Sequence, residues 1–144
     1  MSKDYLLVVD DHVGVRRLLR EFLYQEGFCV KEAPDGETAL QIVREEKPRL
    51  VFLDLKMPGL SGMETLIRLK QLCPQIIVVV ISAYTLDNVI KAAVQNGNIT
   101  YFVDKPFDLQ KIRLILHALL SNLNKTNATI SDIIPDFLHI DRIG

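Results

Sequence analysis

Five polar residues each follow a short apolar run. Asp10 and Asp11 come after Tyr5-Leu-Leu-Val-Val9, Asp54 after Leu50-Val-Phe-Leu53, Ser82 after Ile76 to Ile81, and Lys105 just after Tyr101-Phe102-Val103. Three carboxylates, a hydroxyl and an ammonium can handle a phosphoryl group if the chain brings them together. Clustered carboxylates repel one another and are stable only beside a compensating cation. Carboxylate oxygens with water are the ligand set of Mg²⁺. Such a metal neutralises an incoming phosphoryl group and orients it against a nucleophile, for which an aspartate serves. Lys105, a compact charge on a flexible stem, is expected to pair with Asp54 when the site is empty and with phosphoryl oxygens when it is loaded. Singly, each residue has an ordinary use. An Asp past a strand is commonly a cap or turn former, and Asp11 is well placed to cap the following helix. Ser82 alone reads as a loop residue and Lys105 as a solvated lysine. The combination carries the argument.

The elements that must position this set alternate. Tyr5 to Val9 reads as a strand, followed by a helix with Val15, Leu18, Leu19, Phe22 and Leu23 on one face and Gly27 past its end. Phe28 to Ala33 is a second strand and Pro34-Asp35-Gly36 a turn. Ala39, Leu40, Ile42 and Val43 mark a second helix, and Leu50 to Leu53 a third strand. The breaker-rich loop Met57-Pro58-Gly59-Leu60-Ser61-Gly62 leads to a third helix through Met63, Leu66, Ile67 and Leu69. Ile76 to Ile81, β-branched and apolar, fits a strand buried on both faces. A weaker helix runs from Asp87 to Gln95, then a fifth strand over Tyr101 to Val103. Asp108 caps a last helix carrying Leu109, Ile112, Ile115, Leu116, Leu119, Leu120 and Leu123.

Five strand–helix alternations predict an α/β fold, a doubly wound five-stranded parallel sheet with helices on both faces. Ligands of such sheets bind beyond the carboxyl ends of the strands, where all five polar residues fall. The flavodoxin-like order 2-1-3-4-5, taken from known doubly wound folds rather than from these residues, would set Asp10 and Asp11 beside Asp54.

Length and composition narrow the classes. With 144 residues, 49 % hydrophobic and 24 % charged, the chain can bury a core. Seventeen basic against 18 acidic residues, a net charge of −1, lack the basic footprint of a nucleic-acid binder. No apolar run approaches the ~20 residues of a membrane span, and the N-terminus lacks a signal-peptide core. The expectation is a cytoplasmic protein that contacts neither nucleic acid nor membrane directly. Cys29 and Cys73 make no metal or disulfide pattern.

Four motifs in this order, Val8-Val9-Asp10-Asp11, Leu53-Asp54-Leu55-Lys56-Met57-Pro58-Gly59 with Gly62, Ile81-Ser82-Ala83 and Lys105-Pro106-Phe107, resemble the receiver domain of two-component and phosphorelay response regulators. The resemblance implies that Asp54 is the phospho-acceptor. It implies that Asp10, Asp11, Asp54 and the main-chain carbonyl of Lys56 serve Mg²⁺. Ser82 stands at the switch hydroxyl and Lys105 at the motif lysine. Phe102, three residues before Lys105, stands at the aromatic switch position with Tyr101 one place earlier. Gly97 to Lys105 is one residue longer than the family's usual spacing, with Asn98 where a small apolar residue is typical. His12 is expected as a solvated loop histidine.

The implied partners are a histidine kinase or histidine phosphotransfer protein as donor and an output partner on the helix 4–strand 5–helix 5 face. The implied activity is donor-driven, Mg²⁺-dependent self-phosphorylation with slow autodephosphorylation, not turnover catalysis. Two alternatives stand beside it. One is the receiver of a longer transcriptional regulator. The other is an aspartyl-nucleophile phosphatase, which needs a second Asp where this chain has Lys56. Residues 1–123 are expected to form the receiver. Residues 124–144 hold seven large apolar residues from Ile130 to Ile143, interrupted by Pro135, and are expected to dock on this chain, to form a homodimer contact, or to be a linker stub.

Overall fold

A computed structural model describes residues 4–83 and 88–121. The expectations for residues 124–144, for Leu123 and for Asp87 lie outside them. Five strands and five helices alternate: β1 (Tyr5–Val9), α1 (Val13–Gln25), β2 (Cys29–Ala33), α2 (Gly36–Glu45), β3 (Leu50–Leu53), α3 (Gly62–Leu72), β4 (Ile77–Ser82), α4 (Asn88–Gln95), β5 (Tyr101–Asp104) and α5 (Leu109–Ser121). All neighbouring strands pair in parallel, in the order β2-β1-β3-β4-β5. Chain order reverses between β1 and β3, so the ends of these two strands flank a crevice.

Strand alternation feeds two cores. Tyr5, Leu7 and Val9 point to one face with Val51, Leu53, Val78 and Val80, where α2, α3 and α4 add Leu40, Leu66, Leu69 and Ile90. Leu6 and Val8 point to the other with Phe52, Val79 and Ile81, covered by α1 through Leu19 and Leu23 and by α5 through Ile112, Ile115 and Leu116. β1, β3 and β4 are therefore apolar at nearly every position. β2, at the edge, alternates exposed and half-buried residues until Ala33.

Helix ends follow local chemistry. Asp35 and Ser61 cap α2 and α3 through their side chains, Gln110 donates to Asp108 at the start of α5, and Gly27 leaves α1 with a φ of +97° that suits glycine. The apolar stripes are narrower than expected: Leu18 and Ile67 are 49 % and 45 % exposed. Among the described residues, no helix is long and apolar enough to cross a membrane.

Candidate functional site

The site is assembled at the carboxyl edge by loops that leave β1, β3 and β5. Asp10 and Asp54 are buried, whereas Asp11 is exposed. One oxygen from each of the three carboxylates lies within 4.8 Å of the others. Neighbouring strands dictate this closeness. Asp54 N–H donates to the carbonyl of Val9, and Asp10 N–H to that of Ala33, so the ladders persist one residue past each strand.

Each buried carboxylate is held on both oxygens. Asp10 Oδ1 accepts from the His12 N–H at 2.9 Å and Asp54 Oδ1 from the Lys56 N–H at 3.0 Å. Lys105 Nζ reaches Asp10 Oδ2 at 2.8 Å and Asp54 Oδ2 at 3.4 Å. Lys105 thus pairs more closely with Asp10, where the sequence reading expects Asp54. Burial pushes the Asp54 carboxyl above its ordinary value and the Asp10 charge adds to that, while the Lys56 N–H and Lys105 oppose it. For Lys105, burial pulls downward, but the hydrogen bond to Asp10 and the charges of Asp54 and Asp10 outweigh it, leaving it raised. Three carboxylates cluster and one ammonium bridges two of them, an arrangement suited to a hard cation.

Asp11 is not a cap. Residue His12 occupies that position of α1 and makes no side-chain capping bond. Asp11 is left exposed on the rim with His12, so the ordinary use foreseen for it does not apply. Ser82 is fully buried at the end of β4, and its carbonyl accepts from the Lys105 N–H at 3.0 Å. That bond ties the end of β4 to the loop that carries Lys105.

The lengthened entry to β5 is absorbed in a turn. Asn98 N–H bonds Asn96 Oδ1, Ile99 N–H returns to Ala93, and Thr100 N–H joins Val78. Ile99, the residue after Asn98, is buried. Phe102 then falls on the α4 side of the sheet and Tyr101 on the α5 side, both fully buried. Only Phe102 therefore shares the face of the fourth helix.

Gly62, at the end of the breaker loop, is required on steric grounds. A Cβ there would lie 2.2 Å from Leu55 Cα, so the chain after Asp54 folds back only over glycine. A cavity of about 890 Å³ opens over Asp54, lined also by Asp11 and Lys105 and by apolar Val15, Leu18 and Phe107.

Residues 6–117 match the response regulator receiver domain. The chain belongs to this family. The receiver is 41 % identical over 113 residues to sporulation initiation phosphotransferase F of Bacillus subtilis, covering 78 % of this chain and 90 % of that protein. It is 32 % identical over 120 residues to the chemotaxis protein CheY of the same organism, covering 83 % of this chain and 97 % of that one. The receiver domain of NtrX from Brucella abortus superposes with a TM-score of 0.72 at 32 % identity, over 81 % of this chain and 98 % of that structure. Other relatives are far longer: the receiver spans 44 % of the transcriptional activator ExaE of Pseudomonas putida. The module is a phosphoaspartate signalling domain of two-component systems.

Proposed function

We propose that Asp54 accepts the phosphoryl group and that Asp10, Asp11, Ser82 and Lys105 serve that transfer and its readout. The observation that supports this most is the placement of Asp54, buried at the end of β3, 3.4 Å from Lys105 and clustered with two further carboxylates. The donor set is hard oxygen at the mouth of a cavity, which fits Mg²⁺. Asp10, Asp11, Asp54 and the main-chain carbonyl of Lys56 would hold it, and the ion when bound neutralises charge on the transferring group. Asp54 Oδ2 is the nucleophile, since Oδ1 is occupied by the Lys56 N–H. Lys105 exchanges its carboxylate partners for phosphoryl oxygens. Ser82 donates to one of those oxygens and, through its carbonyl, moves with the Lys105 loop.

The donor is a histidine kinase or histidine phosphotransfer protein. Supporting this is exposed apolar surface on α1: Leu18, which lines the cavity, and Val13, at the start of the helix, are 49 % and 50 % exposed and suited to a protein surface. The output partner reads the α4–β5–α5 face, where Phe102 packs with Ile90 and Ala93 of α4; a second copy of the chain is one such partner. The receiver works in the cytoplasm, and its chemistry is limited to uptake from a donor and slow loss to water.

Incubation with acetyl phosphate and Mg²⁺ followed by intact mass tests the assignment. Wild type gains about 80 Da, the mass of one phosphoryl group, while Asp54→Asn and an EDTA-treated sample gain nothing. An adduct undiminished in Asp54→Asn overturns it.

A further inference from the structure

We infer that Arg16 is a positioning residue for the acidic pair, locking the peptide plane that joins Asp10 to Asp11. Its Nη1 donates to the Asp10 main-chain carbonyl at 2.8 Å, and its Nε to Glu32 Oε1 at 3.1 Å. The guanidinium is itself held, since its side chain is only 16 % exposed and Glu32 is gripped on its other oxygen by Arg20 at 3.3 Å. A planar fork with two fixed partners has little rotational freedom left.

The bonded carbonyl is the important detail. The Asp10 N–H already donates to Ala33, and its side chain is fixed by the His12 N–H and Lys105. The remaining freedom at this corner is rotation of the Asp10–Asp11 peptide, which would swing Asp11 away from Asp10 and Asp54. Asp11, exposed and without a helix-capping role, has no comparable restraint of its own among the described hydrogen bonds. Arg16 supplies the restraint from outside the site. It links the edge strand β2 through Glu32 to the acidic loop, a connection that spans three elements and that no motif spacing displays.

This rests on the metal-binding reading above, and the experiment separates the two. The full chain is titrated calorimetrically with MgCl₂, and its amide exchange is measured without metal. Arg16→Ala is expected to bind Mg²⁺ about tenfold more weakly, the low end of what removing a residue behind a ligand costs. Exchange at Asp11 and His12 should quicken while that of β3 stays unchanged. Arg16→Lys should recover part of the affinity, since an ammonium reaches the carbonyl without the second tether. Glu32→Ala should lose less than Arg16→Ala. If wild type takes up no Mg²⁺, the metal reading fails, and the exchange at Asp11 and His12 still decides the role of Arg16. Wild-type affinity and wild-type exchange in Arg16→Ala overturn the inference, as does a uniform rise in exchange across the sheet. Should Arg16→Ala not fold, Arg16→Lys and Glu32→Ala decide by the same two readouts: unchanged values in both overturn it.

Discussion

Two buried acids mark the two ends of the sheet. Tyr5 opens β1 at the amino edge, and Asp54 follows β3 at the carboxyl edge. Desolvation pushes both upward: Tyr5 to about 12, helped by the charge of Glu46, and Asp54 above the usual carboxylate range. The surroundings differ. Tyr5 donates its hydroxyl to the Glu46 carbonyl, and Lys31 lies 4.5 Å above its ring while pairing with Glu46 at 2.8 Å. At the other edge Asp10 and Asp54 share Lys105, and Asp11 lies clustered with them. One end is arranged for satisfaction and the other for charge excess. That excess opposes stability and invites a cation, a cost accepted where chemistry is done.

The largest effect should come from breaking the readout. Lys105→Ala and Ser82→Ala are expected to keep the mass adduct yet lose the phosphorylation-dependent backbone NMR shifts altogether, because each senses the new charge on Asp54. A normal set of shifts in either variant removes that residue from the switch.

Next is Asp11→Ala, which should lower Mg²⁺ affinity about a hundredfold, a figure scaled from the loss of one unit charge a few ångströms from the ion. The melting temperature should hold or rise, because carboxylate repulsion is relieved. Unchanged affinity by calorimetry would leave Asp11 outside the metal site.

The pH dependence compares the two edges directly. Both shifts favour the protonated acid in the fold. Each contribution is therefore complete below the unfolded value and is lost as pH rises through the folded one. For Tyr5 the window lies between 10.0 and about 12; for Asp54 it opens above 3.8. Tyr5→Phe should flatten urea-unfolding stability across the alkaline window and cost about 1 kcal/mol at neutral pH for the lost hydrogen bond. Asp54→Asn should flatten it only in the acid range. Exchanged or absent windows would show that burial is not the cause.

The smallest effect belongs to Lys31. It is 46 % exposed at its side chain, so Lys31→Met should cost only about 0.5 kcal/mol, less at high salt. A loss above ~2 kcal/mol would mean that the amino edge depends on this ion pair, which an exposed contact does not support.

Much of the fold was legible because its signals are local. Apolar runs of Tyr5 to Val9 and Leu50 to Leu53 are too short for helices and read as strands, and Asp108 starts a helix by chemistry within two residues of itself. Asp35 and Ser61, legible only as turn and loop residues, cap helices in the same way. The amphipathic stripes were overread at Leu18 and Ile67, since periodicity shows which way a residue faces but not how far the covering layer extends. The edge character of β2 likewise depends on which strands lie beside it.

The residue types of the site, their order and their common edge belong to the sequence, because a parallel α/β chain returns every strand end to the same side. Which aspartate holds the lysine, the denial of a capping role to Asp11, the assignment of Phe102 and Tyr101 to opposite faces, and the grip of Arg16 on the Asp10 carbonyl were decided by tertiary structure alone. The lysine pairing and the Arg16 bond are distances between groups on different elements, and the other two depend on where a helix starts and how a strand is registered in the sheet. Such distances are set by packing of the two cores against the sheet, and spacing along one strand or helix does not encode them.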